Sequence, residues 1–172
     1  MKIFVLISII LTTALAGCGP KKPSDMPKLY PVQLTIVQEG TPLADANVAL
    51  RAKESAAKYA AGGMTDSNGV VILHTHGQYK GVPEGEYTVI INKSETIKEG
   101  PWDQIPKDSE QSRTFMMQNQ NKLKQRTYSL VNTKYGSPAT SDLSITVTSS
   151  GVTETLDVGK KVRETYSSPL NP

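Results

Sequence analysis

His74 and His76 are the only histidines in the chain, and one residue separates them. On a strand, alternate side chains share a face, so two imidazoles at this spacing could reach one ion. A zinc or copper site needs a third and a fourth ligand, and neither another histidine nor a second cysteine exists to supply them. The expectation is therefore two surface histidines at a strand end, with no metal. Asp66-Ser67-Asn68-Gly69 offers the first oxygens of a calcium loop without the remaining ligands or the distal glutamate, and reads as a hairpin turn. Glu84 and Glu86 stand beside a turn, where solvated charge is the expected role rather than acid–base work. No serine lies in a Gly-x-Ser-x-Gly context, no His-Glu-x-x-His occurs, and no phosphate loop precedes Gly159-Lys160-Lys161. These absences point to a non-enzymatic protein without a cofactor.

One position remains where residue type and context agree. Met1-Lys2 precede a largely apolar run from Ile3 to Leu15, and the run closes with Leu15-Ala16-Gly17-Cys18. It is too short for a permanent transmembrane helix, follows a single positive charge and ends in small residues, which is the plan of a secretory signal peptide. Leu-Ala-Gly-Cys resembles the lipobox of bacterial lipoproteins. The resemblance implies cleavage between Gly17 and Cys18 and lipidation of the Cys18 thiol with diacylglyceryl and palmitate-type chains. One acyl chain binds a membrane marginally, while two or three hold it effectively for good. The membrane is thus the first expected partner, through lipid on Cys18. Gly19, in place of the aspartate that retains such proteins at the inner membrane, favours the outer membrane in a host that has one.

Charge and length narrow the remaining classes. Nineteen basic residues against sixteen acidic ones leave too small an excess to imply nucleic acid as a partner. Cys18 is the only cysteine, so no internal disulfide forms and burial must supply the stability. Without residues 1–17 the chain suffices for one domain plus linkers.

The elements follow from periodicity. Residues 18–30 hold three prolines and little to bury, and read as a lipidated, extended tether. From Pro31 the period is two: Val32, Leu34 and Ile36 alternate with polar residues, as do Ala46, Val48 and Leu50, then Tyr87, Val89 and Ile91, then Leu143, Ile145 and Val147. Gly40-Thr41-Pro42, Thr65 to Gly69, Pro83 to Glu86 and Ser149-Ser150-Gly151 make the turns between strands. This pattern predicts an antiparallel β-sandwich over 31–158. Ser55 to Ala61 could form a short helix closed by Gly62. Residues 94–126 break the pattern as a long insertion, with Trp102 and Ile105 set between prolines and Asp108 placed with Gln111 to cap a helix; Trp102 is expected to dock on the edge of the sandwich. Residues 159–172 read as a flexible tail.

Three turns with their flanking strands carry a further resemblance: Gly40 to Val48, Gly63 to Val70, and Gly81 to Val89. In this order they resemble the carboxypeptidase regulatory-like domain. That resemblance implies an all-β fold, a single seven-stranded transthyretin-like (prealbumin-like) β-sandwich with the insertion between strands. Lys134 to Val147, with its Pro-Ala-Thr-Ser loop, is similar to the C-terminal part of small bacterial lipoproteins on the same domain. The fold itself implies little about activity. The expected role is a lipid-anchored cell-envelope protein with a structural or protein-binding domain. A carbohydrate-binding module, or an accessory subunit of a separate envelope peptidase or hydrolase, stands as the alternative, so the expected partner beyond the membrane is an envelope protein or a glycan.

Overall fold

The alternation of Val32, Leu34 and Ile36 becomes strand β1 (Val32–Gln38), with those three side chains buried and Gln33 exposed between them. The computed structural model describes residues 22–53 and 59–165; Cys18 and the residues expected to form a signal peptide lie outside them. After β1 come β2 (Thr41–Pro42), β3 (Asn47–Ala52), β4 (Ala61–Met64), β5 (Val70–Ile72), β6 (His74–Thr75) and β7 (Tyr79–Lys80). Then follow β8 (Gly85–Asn92), β9 (Ser94–Glu99), a 3-10 turn at Trp102–Gln104, helix α1 (Ser109–Asn119) and β10 (Lys124–Ser129). A second 3-10 turn (Thr133–Gly136) leads to β11 (Ser144–Val147), β12 (Val152–Asp157) and β13 (Glu164–Thr165). The fold is all-β, with several antiparallel sheets and, among the described residues, one α-helix.

Six strands form one sheet in the order β11-β8-β3-β4-β6-β7. A second sheet places β1 between β12 on one side and β5 and β2, end to end, on the other. The two sheets share one core. Leu34 and Ile36 from β1, Val48 from β3, Val89 and Ile91 from β8, and Val147 from β11 are all buried in the same cluster. Tyr87, predicted to enter the core with Val89 and Leu34, is 5% exposed.

One pairing departs from the antiparallel expectation: β12 runs parallel to β1, with Val32 opposite Val152 and Leu156 opposite Ile36. The cause lies in the turn before it. Thr148 to Gly151 carries the chain out of the six-stranded sheet and hands it to the other, so β12 arrives alongside the start of β1. Gly151 adopts φ +81°, and a Cβ there would lie 2.4 Å from the carbonyl oxygen of Pro31; only glycine meets both conditions. Val152 N–H then donates to that same carbonyl at 2.9 Å.

The insertion is ordered as an arm. β9 and β10 pair from Ser94↔Ser129 to Lys124↔Glu99, and α1 bridges them. Asp108 caps the helix as its spacing predicts, accepting from the N–H groups of Glu110 and Gln111 at 3.0 Å each. No side chain from 94 to 128 is buried, so the arm adds no strand to the core. Trp102 does not dock on the sheet edge of the core. Its indole N–H donates to the carbonyls of Glu99 and Lys124, which fastens it to the arm's own hairpin. The stretch expected as a loose tail contributes β13, where Glu164 and Thr165 pair with Ser129 and Tyr128. Arg163 supports this from the neighbouring position, with its guanidinium 4.5 Å from the Tyr128 ring centre and 3.3 Å from Glu95. Of the helix expected near 55–61, residues 54–58 fall outside the described part, and Ala61 opens strand β4.

Candidate functional site

The first residues of β8 and the end of β3 border a concavity of the six-stranded sheet. Lys53 follows β3, and its N–H donates to the carbonyl of Glu86 at 3.0 Å, extending the β3–β8 ladder by one rung. The same register brings the Lys53 ammonium to 3.3 Å from the Glu86 carboxylate. Pro83 and Glu84 turn the chain into β8. The Tyr87 hydroxyl donates back to the Pro83 carbonyl at 3.0 Å, and burial pushes its phenol pKa above the ordinary value. Thr146 and Val147 of β11 border the same space on the other side of β8. Pro27 of the tether and Tyr59 close it into a groove of about 610 Å³, within the ordinary range of ligand sites.

The groove is lined by apolar and polar groups in similar measure. Among the described residues, Lys53, Glu84 and Glu86 are the charged ones that line it, two carboxylates against one ammonium. Lys53 and Glu86 neutralise one another, while Glu84 is exposed and makes no ion pair among the described residues. The arrangement suits recognition of a cationic or amphipathic group.

The histidines take separate roles. His74 Nδ1 lies 3.0 Å from the Ile72 carbonyl. His76 has left the strand: it sits at φ +53° in the turn after β6, with its ring 5.4 Å from that of Tyr59. The face-sharing geometry of alternate strand residues therefore does not extend to this pair. Among the described residues, no three His, Cys, Asp or Glu side chains converge as a metal set.

Asp66 is a turn residue in full use. Its carboxylate accepts from the N–H groups of Asn68 at 2.8 Å and Val70 at 2.9 Å, which suits a side-chain-capped turn. Gly69 has φ +72°, and a Cβ there would lie 2.4 Å from the Ile36 carbonyl oxygen. That close approach, not a ligand, explains the glycine.

The Lys134 to Val147 motif resolves into a clamp on the edge of the six-stranded sheet. Asn132 caps the 3-10 turn by accepting from Lys134 N–H at 3.0 Å, and Tyr135 is buried. Thr140 Oγ1 donates to the Lys134 carbonyl, and Ser141 Oγ donates to the Val89 carbonyl, both at 2.6 Å. Lys134 also reaches Asp142 at 2.9 Å; this bond raises the lysine pKa and lowers that of the aspartate.

Glu84 and Glu86 were legible as turn charges, but the Lys53–Glu86 contact was not, because thirty-three positions separate the partners and no local spacing signals it. No family model, curated protein or solved structure matches the chain. No helix among the described residues is long and apolar enough to cross a membrane.

Proposed function

We propose that the protein is a lipid-anchored component of a bacterial cell envelope, whose transthyretin-like β-sandwich of the carboxypeptidase regulatory-like type works as a non-enzymatic protein-binding domain. The observation that carries the anchor is the apolar run ending in Leu15-Ala16-Gly17-Cys18. The sandwich reading is supported by seven strands, β1, β3, β4, β5, β8, β11 and β12, each of which contributes a buried apolar side chain to the common core. Two of the three turns that carry the resemblance support the reading: Asp66 caps a hairpin turn, and the Tyr87 hydroxyl returns to the Pro83 carbonyl as the chain enters the core.

The geometry also suits display from a tether. The tether reaches the domain through the bridge between Tyr30 and Val82, beside the start of β8. The arm departs after Asn92, at the other end of that strand, roughly 26 Å away for eight residues at the strand rise. A protein partner is favoured over a glycan by the use of the one tryptophan. The indole N–H of Trp102 is taken by two backbone carbonyls, and the Lys98 ammonium sits 5.1 Å from its ring centre, so the N–H and one face of the ring are already engaged within the arm.

Expression of the full chain in a bacterium with and without Cys18→Ser tests the anchor. The wild type is expected in the detergent phase with an acyl-bearing N-terminal cysteine by mass spectrometry. The serine variant is expected as uncleaved precursor or as protein that no longer enters detergent. A serine variant that still fractionates with membranes after a high-salt wash overturns the lipoprotein reading.

A further inference from the structure

The six-stranded sheet ends at β11, and the hydrogen-bond register decides which of its backbone groups are free. Val89 N–H donates to the Leu143 carbonyl at 2.9 Å, which makes 143 and 89 a hydrogen-bonded pair in the register that sets Ser144 opposite Thr88 and Thr146 opposite Glu86. Antiparallel pairs alternate. Ile145 and Val147 therefore bond to β8, while the N–H and C=O groups of Ser144 and Thr146 face away from it. The contact from Lys53 N–H to the Glu86 carbonyl agrees, since it turns the even residues of β8 toward β3. Among the described residues no strand covers the outer side of β11, and Ser144 and Thr146 are exposed. Among the sheet edges of the described residues, this one borders the groove: Thr146 and Val147 line it.

We propose that the edge of β11 accepts an extended polypeptide strand from a partner protein, and that a lysine or arginine side chain of that strand enters the adjoining groove toward Glu84. Main-chain pairing at an exposed edge supplies affinity, and a pocket beside the edge supplies selectivity. The sign of the recognised side chain follows from the lining charges: among the described residues the Lys53–Glu86 pair is self-neutralised and Glu84 makes no ion pair. Pro83, Tyr87 and Val147, which also line the groove, suit the methylene stem of a long cationic side chain, which buries its stem and keeps its charge toward water. This inference rests on reading the domain as a protein-binding module.

The test uses the full chain in detergent and a labelled seven-residue probe, acetyl-Thr-Val-Thr-Lys-Thr-Val-Thr-amide, read by fluorescence anisotropy. The lysine peptide is expected to bind about tenfold or more tighter than the same peptide with glutamate at its centre, and Glu84→Gln is expected to remove most of that preference. N-methylation of alternate peptide amides on the pairing edge should abolish binding, with no change to the protein. Thr146→Pro should weaken binding at least tenfold without moving the melting temperature, because the N–H it removes has no partner among the described residues. Equal affinity for the lysine and glutamate peptides overturns the proposal. Peptide binding that ignores both N-methylation and Thr146→Pro sinks the edge assignment while leaving a protein-binding role in place. A concentration-dependent dimer that Thr146→Pro disperses assigns the edge to a second copy of this chain and likewise overturns the proposal. The acylation state of Cys18 enters none of these readouts, so the anchor and the edge fail separately.

Discussion

Thr65 gives the sharpest test of how the turns hold the core. The residue is 3% exposed. Its hydroxyl accepts from Ala46 N–H at 2.8 Å and donates to the Leu43 carbonyl at 2.7 Å. Its backbone N–H donates to the Ala46 carbonyl and its carbonyl accepts from Asp45 N–H. One side chain thus ties the turn before β3 to the strand end after β4. Thr65→Val keeps the shape but deletes both hydroxyl bonds, leaving the Ala46 N–H and the Leu43 carbonyl stranded beside buried side chains. A buried polar group without its partner costs about 1–3 kcal/mol, so the two together should cost about 2–4 kcal/mol. Thr65→Ser keeps both bonds and loses one methyl, for about 1 kcal/mol. In a domain of this size each kcal/mol moves the melting temperature by roughly 3–5 °C. Valine should therefore lower the midpoint by roughly 6–20 °C and serine by roughly 3–5 °C. Thermal and urea unfolding followed by circular dichroism measure both. A valine variant that melts at or above the serine variant refutes the argument, because the hydroxyl would then not be what holds the turn.

Val89, fully buried in β8, should lose about 1–3 kcal/mol on truncation to alanine, read as a lower urea midpoint with an unchanged slope. Replacing 97–124 with a short Gly/Ser loop removes no buried side chain and should change stability by no more than about 1 kcal/mol, since loop closure depends weakly on length; a protein that no longer unfolds cooperatively would contradict this. The Asp142 carboxyl, held down by its bond to Lys134, should titrate below its ordinary value in the wild type and return toward it in Lys134→Met, followed by carboxyl carbon shifts. Because its folded pKa is depressed, its small contribution to stability is present above the unfolded value and fades as pH falls through the folded one.

The strands that carry one buried face were legible as alternation. Val32-x-Leu34-x-Ile36 and Tyr87-x-Val89-x-Ile91 place the same side chains in the core that their period picks out. The Asp108 cap was legible for a related reason, since its partners lie two and three residues on. What could not be read depends on contacts between distant parts of the chain. The parallel partnership of β1 and β12 arises from a turn that changes sheets, and period two carries no sign of strand direction. β9, β10 and β13 bury no apolar face, so nothing in their composition separates them from loop. Trp102 is held by backbone carbonyls that exist only once β9 and β10 have paired. In the groove, Glu84 and Glu86 stood out locally, but Lys53, Thr146 and Pro27 come from three other regions of the chain.

The position of β1 sets an order of events during synthesis. Its two neighbours on one side, β2 and β5, follow within the next forty residues or so, whereas the neighbour on its other side is β12, near the end of the described chain. Loop closure must come before such a distant pairing can form. A polypeptide that emerges N-terminus first therefore carries one bare edge of Val32, Leu34 and Ile36 until residues 152–157 have followed. On the proposed export route that delay keeps the chain threadable while it crosses the membrane. The same delay makes the final strand the point of commitment. A chain that stops before Val152 holds most of its core residues and still presents an open, strongly β-forming edge, so it should aggregate rather than remain a soluble partial fold.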